Sequence, residues 1–219
     1  MGFAFFDLDD TLVDTASALR SWALDFMREH RLGDGSDAAA AELAARREHA
    51  VSSWVEFAEN LHGWYGIATD PRELYERIIV DYPARFTLDP AVAEGLTRLR
   101  ADGWQLGIVT NGAARMQHAK IERVGLHAYV DMVLASESAG FDKPDVRIFE
   151  IAAGKLGVEL GPGGWMVGDM FDKDITGGIA AGLRTIWLPH GVPQPADGPR
   201  PEHTAESVLE AIALIAASE

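Results

Sequence analysis

The chain has 219 residues, of which 47% are apolar and 24% charged, a balance that excludes collagenous, disordered and membrane-spanning architectures. Nineteen Lys and Arg against 34 Asp and Glu leave a net charge of −15, which argues against nucleic acid or an anionic membrane as a partner. The absence of cysteine removes disulfides, zinc–thiolate sites and cysteine nucleophiles. No apolar run approaches the roughly 18 residues that cross a bilayer. The opening Met1-Gly2-Phe3-Ala4-Phe5-Phe6 has no basic segment before Asp7 and does not read as a signal peptide. A cytoplasmic enzyme or binding protein is the expectation.

In chain order, short apolar runs at Phe3–Leu8, Leu106–Thr110, Met132–Ser136, Trp165–Gly168 and Thr185–Leu188 read as strands. Helical patterns lie near 91–101, 112–124, 145–157, 173–182 and 204–217. Strands alternating with helices predict an α/β fold with a doubly wound, parallel, Rossmann-like sheet. One stretch breaks the alternation. Residues 15–85 carry only helical patterning, at Ala16–Arg31, Asp37–Leu61 and Pro71–Tyr82, with loops at Gly33–Ser36 and Gly66–Asp70. This predicts a small all-helical domain over 15–85 inserted into a core formed by 1–14 and 86–219. Five prolines between Pro189 and Pro201 predict an extended surface loop before the last helix.

An open parallel sheet binds ligands beyond the carboxyl ends of its strands, near the point where strand order reverses. Strand one ends in Asp7-Leu8-Asp9-Asp10-Thr11, and strand two in Thr110-Asn111-Gly112 at the start of a helix. Phe141-Asp142-Lys143-Pro144 follows strand three, and Gly168-Asp169-Met170-Phe171-Asp172-Lys173-Asp174 closes strand four. Asp7, Asp9, Asp10, Asp169, Asp172 and Asp174 on neighbouring strand ends would repel one another without a cation. Oxygen-only ligands at a site open to substrate suit Mg²⁺. Lys143 and such a metal supply the positive charge that an acidic chain denies an anionic substrate. The Thr110-Asn111-Gly112 turn is expected to offer backbone N–H groups to an anion. Together these parts describe phosphoryl transfer by an aspartate nucleophile.

These motifs resemble those of the haloacid dehalogenase superfamily of phosphohydrolases, over nearly the whole chain. The four family motifs match as Asp7–Thr11, Thr110, Lys143, and Gly168-Asp169 with Asp174; the helical insert resembles the family's cap between motifs one and two. The resemblance implies that Asp7 attacks phosphorus, and that Asp9 protonates the leaving alcohol and then activates water. It implies Mg²⁺ held by the Asp7 carboxylate, the Asp9 backbone carbonyl and Asp169. Thr110 and Lys143 grip the phosphoryl group with help from the backbone or side chain of Asn111, and Asp174 orients Lys143 or a metal-bound water. It further implies a mobile cap that closes to exclude water. Members that cleave carbon–halogen bonds lack an aspartate two positions after the nucleophile, so Asp9 argues against dehalogenation.

The reaction implied is Mg²⁺-dependent hydrolysis of a small soluble phosphate ester: a sugar phosphate, a nucleoside monophosphate or a phosphoglycolate-like compound. The Thr110-Asn111-Gly112 and Lys143-Pro144-Asp145 stretches lean toward the branch with nucleoside-monophosphate and acylneuraminate phosphatases. A phosphomutase shares the chemistry up to the aspartyl-phosphate, and a non-catalytic binding protein could share the fold. Some readings remain two-sided. Asp10 stabilises a turn, Asp172 and Lys173 read as solvated turn residues, and Asp174 could also cap a helix. In the insert, Arg46, Arg47, His49, Trp54, His62, Trp64 and Tyr65 either face substrate or form bundle core and exposed helix face. No histidine has metal-ligand spacing with another ligand, so no zinc site is expected. A monomer or weak homodimer is expected.

Overall fold

The computed structural model describes residues 2–50 and 53–218 and separates into two units, Met1–Val13 with Leu88–Glu219, and Asp14–Thr87. The first unit opens on β1 (Phe3–Phe6), four buried apolar residues in a row. The chain leaves it for the helical unit: α1 (Thr15–Glu29), α2 (Asp37–Ala50), α3 (Trp54–Tyr65), α4 (Pro71–Asp81) and a 3₁₀ turn at Pro83–Arg85. It returns through α5 (Pro90–Ala101), β2 (Gln105–Thr110), α6 (Ala114–Val124), β3 (Met132–Ala135), α7 (Ser136–Ala139) and α8 (Val146–Leu156). There follow β4 (Gly164–Gly168), a π turn at Phe171–Ile175, α9 (Thr176–Ala180), β5 (Arg184–Trp187), β6 (His203–Thr204) and α10 (Val208–Ala216).

The six strands form one parallel sheet in the order β3-β2-β1-β4-β5-β6. This is the doubly wound α/β fold expected. Strand order reverses at β1, where Phe5 lies beside Gly107 of β2 on one side and Met166 of β4 on the other. Both faces of the sheet are buried, as parallel sheets require. Phe3, Phe5, Val109, Leu134 and Met166 pack with Ile148, Phe149 and Leu156 of α8. The alternate residues Ala4, Phe6, Leu106, Ile108, Trp165 and Val167 are equally buried.

The element boundaries depart from expectation where local chemistry overrides periodicity. The single helix expected over Asp37–Leu61 is two helices, because Ser53 accepts the Glu56 N–H at 3.1 Å and starts α3 afresh. The final helix begins at Val208, capped by Ser207, and not at Thr204. His203 and Thr204 instead pair with Ile186 and Trp187, a two-residue strand too short to carry a periodic signal. Where a helix is expected from 173, the chain first forms the π turn at Phe171–Ile175, and α9 begins only at Thr176.

Within the helical unit, Trp22 is the hub of an aromatic core. Its ring lies 4.9 Å from Phe26, 5.9 Å from Phe57 and 6.4 Å from Tyr82, centroid to centroid. Asp70 caps α4 with proline at the first helical position, as the Asp70-Pro71 pair predicts. Replacing Ser53 with Ala is expected to destabilise the protein by about 1 kcal/mol. Urea unfolding would show it, and an unchanged midpoint would mean that the break between α2 and α3 has another cause.

Candidate active site

The residues following β1 continue the sheet for one more bond and then turn sharply. Asp7 donates its N–H to the Val167 carbonyl at 2.9 Å, which fixes its side chain at the reversal point of the sheet. Leu8 then gathers the loop, its carbonyl accepting from Leu12 at 3.0 Å and Val13 at 3.1 Å. Asp10 sits at φ +54°, a left-handed conformation that aspartate tolerates better than most residues, and its N–H bonds the Val13 carbonyl. Its carbonyl accepts a 2.6 Å hydrogen bond from His190 Nε2, which the proline-rich loop after β5 brings back to the site.

Lys143 ties three strand ends together. Its Nζ donates to Asp7 Oδ1 and to Asp174 Oδ1, each at 2.6 Å, and all three side chains are buried. The backbone of Lys143 is held in turn by the Asn111 side chain: Nδ2 donates to the Lys143 carbonyl at 3.0 Å, and Oδ1 accepts the Lys143 N–H at 2.8 Å. Of the two ways Asn111 was expected to help grip a phosphoryl group, its side-chain amide is engaged in positioning Lys143. The expected backbone cradle is also partly taken. Gly112 N–H donates to Ser136 Oγ at 3.0 Å, and Ala114 N–H donates to the Glu137 carboxylate at 2.9 Å. Thr110 is buried with its hydroxyl accepting from Gln117 Nε2 at 2.6 Å.

Asp174 reaches Lys143 only because nothing stands between it and the strand. A Cβ on Gly168 would lie 2.3 Å from Asp174 Cγ, so glycine is required there for close approach. The second Asp174 oxygen accepts the Met170 N–H at 2.9 Å. Ligand oxygens of Asp7, Asp169 and Asp174 all lie within 4.8 Å of one another. Asp169 Oδ1 is buried without a hydrogen-bond partner, while the Asp169 carbonyl accepts from the Trp187 indole at 2.8 Å. A carboxylate-only donor set with one unsatisfied buried oxygen fits a hard divalent cation such as Mg²⁺. The Asp9 carboxylate is turned elsewhere: Lys120 Nζ contacts its two oxygens at 2.7 and 2.9 Å, and Gln117 Nε2 donates to Oδ2 at 2.9 Å.

The electrostatics agree with a site short of positive charge. Burial is the chief cause that pushes the Asp7 carboxyl up, to about 8; Asp174 and Asp9 reinforce it against the opposing ammonium of Lys143. Burial likewise lifts Asp169 to about 6, helped by Asp174 and Asp10. For Lys143 burial acts to lower the pKa, but Asp174 and Asp7 together outweigh it and hold the ammonium charged. A cavity of about 160 Å³ is bordered by all the expected site residues: Asp7, Asp9, Thr110, Asn111, Lys143, Asp169 and Asp174. Lys173 borders it as well, whereas Asp172 is exposed, as a solvated turn residue would be.

Three residues at the site escaped the sequence reading: Gln117, Lys120 and His190. For Lys120 a signal existed. Only four of the nineteen basic residues are lysines, and two of them, Lys120 and Lys143, are buried here. In the helical unit, Trp54 packs on Tyr82 at 4.7 Å with the Arg47 guanidinium 4.2 Å above its ring, and Arg46 stands 5.2 Å over the half-exposed Trp64. His62 is exposed with Nδ1 3.3 Å from the Thr69 carbonyl, Tyr65 is partly buried, and the His49 side chain lies outside the described residues.

Residues 3–182 match the haloacid dehalogenase-like hydrolase family, and the chain belongs to it. Among curated proteins it is 32% identical over 213 residues to the pyrimidine 5'-nucleotidase YjjG of Escherichia coli, covering 94% of each chain. It is 32% identical to the rat N-acylneuraminate-9-phosphatase, covering 96% of this chain and 92% of that one. Its fold is also that of the putative hydrolase YfnB from Bacillus subtilis, with a TM-score of 0.75, 22% identity and 98% of both chains covered. The expected class, a phosphatase of this hydrolase family, is thereby met. No helix among the described residues is long and apolar enough to cross a membrane.

Gly168→Ala is expected to push Asp174 off Lys143 and to cost about 1–3 kcal/mol of stability by overpacking. Urea denaturation would detect this. A variant as stable as the parent would show that Asp174 can retreat without penalty.

Proposed function

We propose that this hydrolase is a Mg²⁺-dependent phosphomonoesterase that works through an aspartyl-phosphate on Asp7. The observation that carries the reading is the buried Asp7–Lys143–Asp174 triad beside the unsatisfied oxygen of Asp169, at the reversal point of the sheet. Mg²⁺ would be held by the carboxylates of Asp7 and Asp169 with the Asp9 backbone carbonyl. When bound, it supplies Lewis-acid stabilisation of phosphoryl charge.

The remaining chemistry belongs to the chain. The Asp7 carboxylate attacks phosphorus, and the bond from phosphorus to the ester oxygen breaks. Asp9 gives its proton to that departing oxygen, so the alcohol leaves neutral. Water then attacks phosphorus and yields its proton to Asp9; the bond to Asp7 breaks, and phosphate leaves. Lys143 and the Thr110 hydroxyl neutralise and orient the phosphoryl oxygens, with Asn111 holding the Lys143 backbone and Asp174 its ammonium. The inserted helical unit acts as the cap that screens this chemistry from bulk water, a role supported by its place between the first two motifs.

The substrate is a small soluble phosphomonoester of a nucleoside or sugar, a reading supported by relatives that act on nucleotides and on an acylneuraminate phosphate. Those relatives also favour hydrolysis over isomerisation. Phosphate release should be assayed across p-nitrophenyl phosphate, phosphoglycolate, sugar phosphates and nucleoside monophosphates, with Mg²⁺ and with EDTA. Release that needs the metal and favours one ester is expected. Asp7→Asn should lower turnover at least about a thousandfold with an unchanged circular dichroism spectrum. Retained turnover in that variant would contradict the mechanism, and isomerisation of a hexose 1-phosphate without phosphate release would make the enzyme a mutase.

A further inference from the structure

Helix α6 rises directly from the phosphate-side turn at Thr110–Gly112, and it buries two polar side chains three residues apart. Gln117 and Lys120 are 2% and 3% exposed, on the face that also buries Met116 and Ile121. Burying an ammonium and an amide is unfavourable unless each finds partners, and an apolar residue of similar length would serve packing equally well. Their partners are functional groups. Lys120 Nζ spans both oxygens of Asp9 at 2.7 and 2.9 Å. One Gln117 nitrogen contacts Asp9 Oδ2 at 2.9 Å, Thr110 Oγ1 at 2.6 Å and the Asn111 carbonyl at 3.3 Å.

We propose that Gln117 and Lys120 are positioning residues for proton transfer, a clamp on α6 that sets the Asp9 carboxylate in one rotamer and ties it to the Thr110 hydroxyl. The inference rests on the reading of Asp9 as proton donor and acceptor. An aspartate side chain has two rotatable bonds, and that of Asp9 is 28% exposed. Two side chains of one helix hold it through three hydrogen bonds. The amide of Gln117 is the shared element: it couples the group that moves the proton to a group that binds the phosphoryl oxygens. Proton transfer requires a placement good to a few tenths of an ångström, whereas attack by Asp7 does not depend on where Asp9 points.

That asymmetry supplies the test. The p-nitrophenolate ion leaves readily without a proton, whereas phenolate is far more basic and gains from one. The kcat/KM ratio of p-nitrophenyl phosphate to phenyl phosphate therefore reports proton donation. Lys120→Met and Gln117→Leu are each expected to raise this ratio about tenfold or more, with Asp9→Asn raising it at least as much. Lys120→Arg should restore a value near that of the parent. Adding Lys120→Met to Asp9→Asn should change the ratio no further. Equal losses on both esters in Lys120→Met and Gln117→Leu, with Asp9→Asn still selective, would overturn the clamp and leave the role of Asp9 standing. If Lys120→Met does not fold, Gln117→Leu decides alone, since it removes no charge. An unselective Asp9→Asn, or a parent enzyme silent on both esters, would overturn the reading of Asp9 and the clamp with it.

Discussion

A buried ammonium held between two buried carboxylates is the constraint on which this catalytic unit depends. Lys143 comes from the loop after β3, Asp7 from the end of β1 and Asp174 from the turn after β4, and Asn111 after β2 fixes the lysine backbone. Four strand ends are therefore locked by one side chain and its immediate supports. Removing any member leaves a charge buried without its partner, which costs several kcal/mol in general. The doubly wound order makes the arrangement possible, because the reversal at β1 is where β2 and β4 can both present residues to Asp7. One ammonium does not balance the Asp7, Asp169 and Asp174 carboxylates, and the neighbouring Asp174 adds to the burial that chiefly raises the pKa values of Asp7 and Asp169. The same deficit makes the site attractive to a divalent cation and, once charged, to a phosphate ester.

Much of this is legible in the sequence. Carboxylates after strands one and four, a threonine after strand two and a lone lysine before a proline have no shared structural purpose, so their order pointed to one site. The residues that escaped were those whose signal is ambiguous in one dimension. Gln117 and Lys120 look like the polar face of an amphipathic helix, and only the packing of α6 shows that this face is inward. His190 sits among prolines that predict an extended loop, and its contact with the Asp10 carbonyl spans 180 residues of sequence. Asn111 was legible as a site residue but not in its task, because an amide can serve a ligand or a neighbouring backbone equally well.

The boundaries tell the same story at lower stakes. Serine as a helix cap competes with a continuous helical pattern, and at Ser53 the cap wins because its hydroxyl satisfies an N–H that a new helix leaves open. The aromatic residues of the helical unit were open to two readings. Trp54 resolves toward packing against Phe57 and Tyr82. Trp64 retains substantial exposure beneath Arg46. An exposed indole under a guanidinium keeps a flat apolar face and a charge side by side, a pairing worth about 0.5–1 kcal/mol at such sites.

The central claim is that Asp7 forms a covalent bond to phosphorus. The most direct measurement is to quench a steady-state reaction rapidly, reduce the protein with borohydride and identify the product at position 7 by peptide mass spectrometry. An acyl phosphate there is reduced to homoserine, and the account predicts homoserine at position 7 in the presence of a phosphate ester and Mg²⁺ only. An unmodified Asp7 under conditions where phosphate is being released, or reduction at another aspartate, would contradict it.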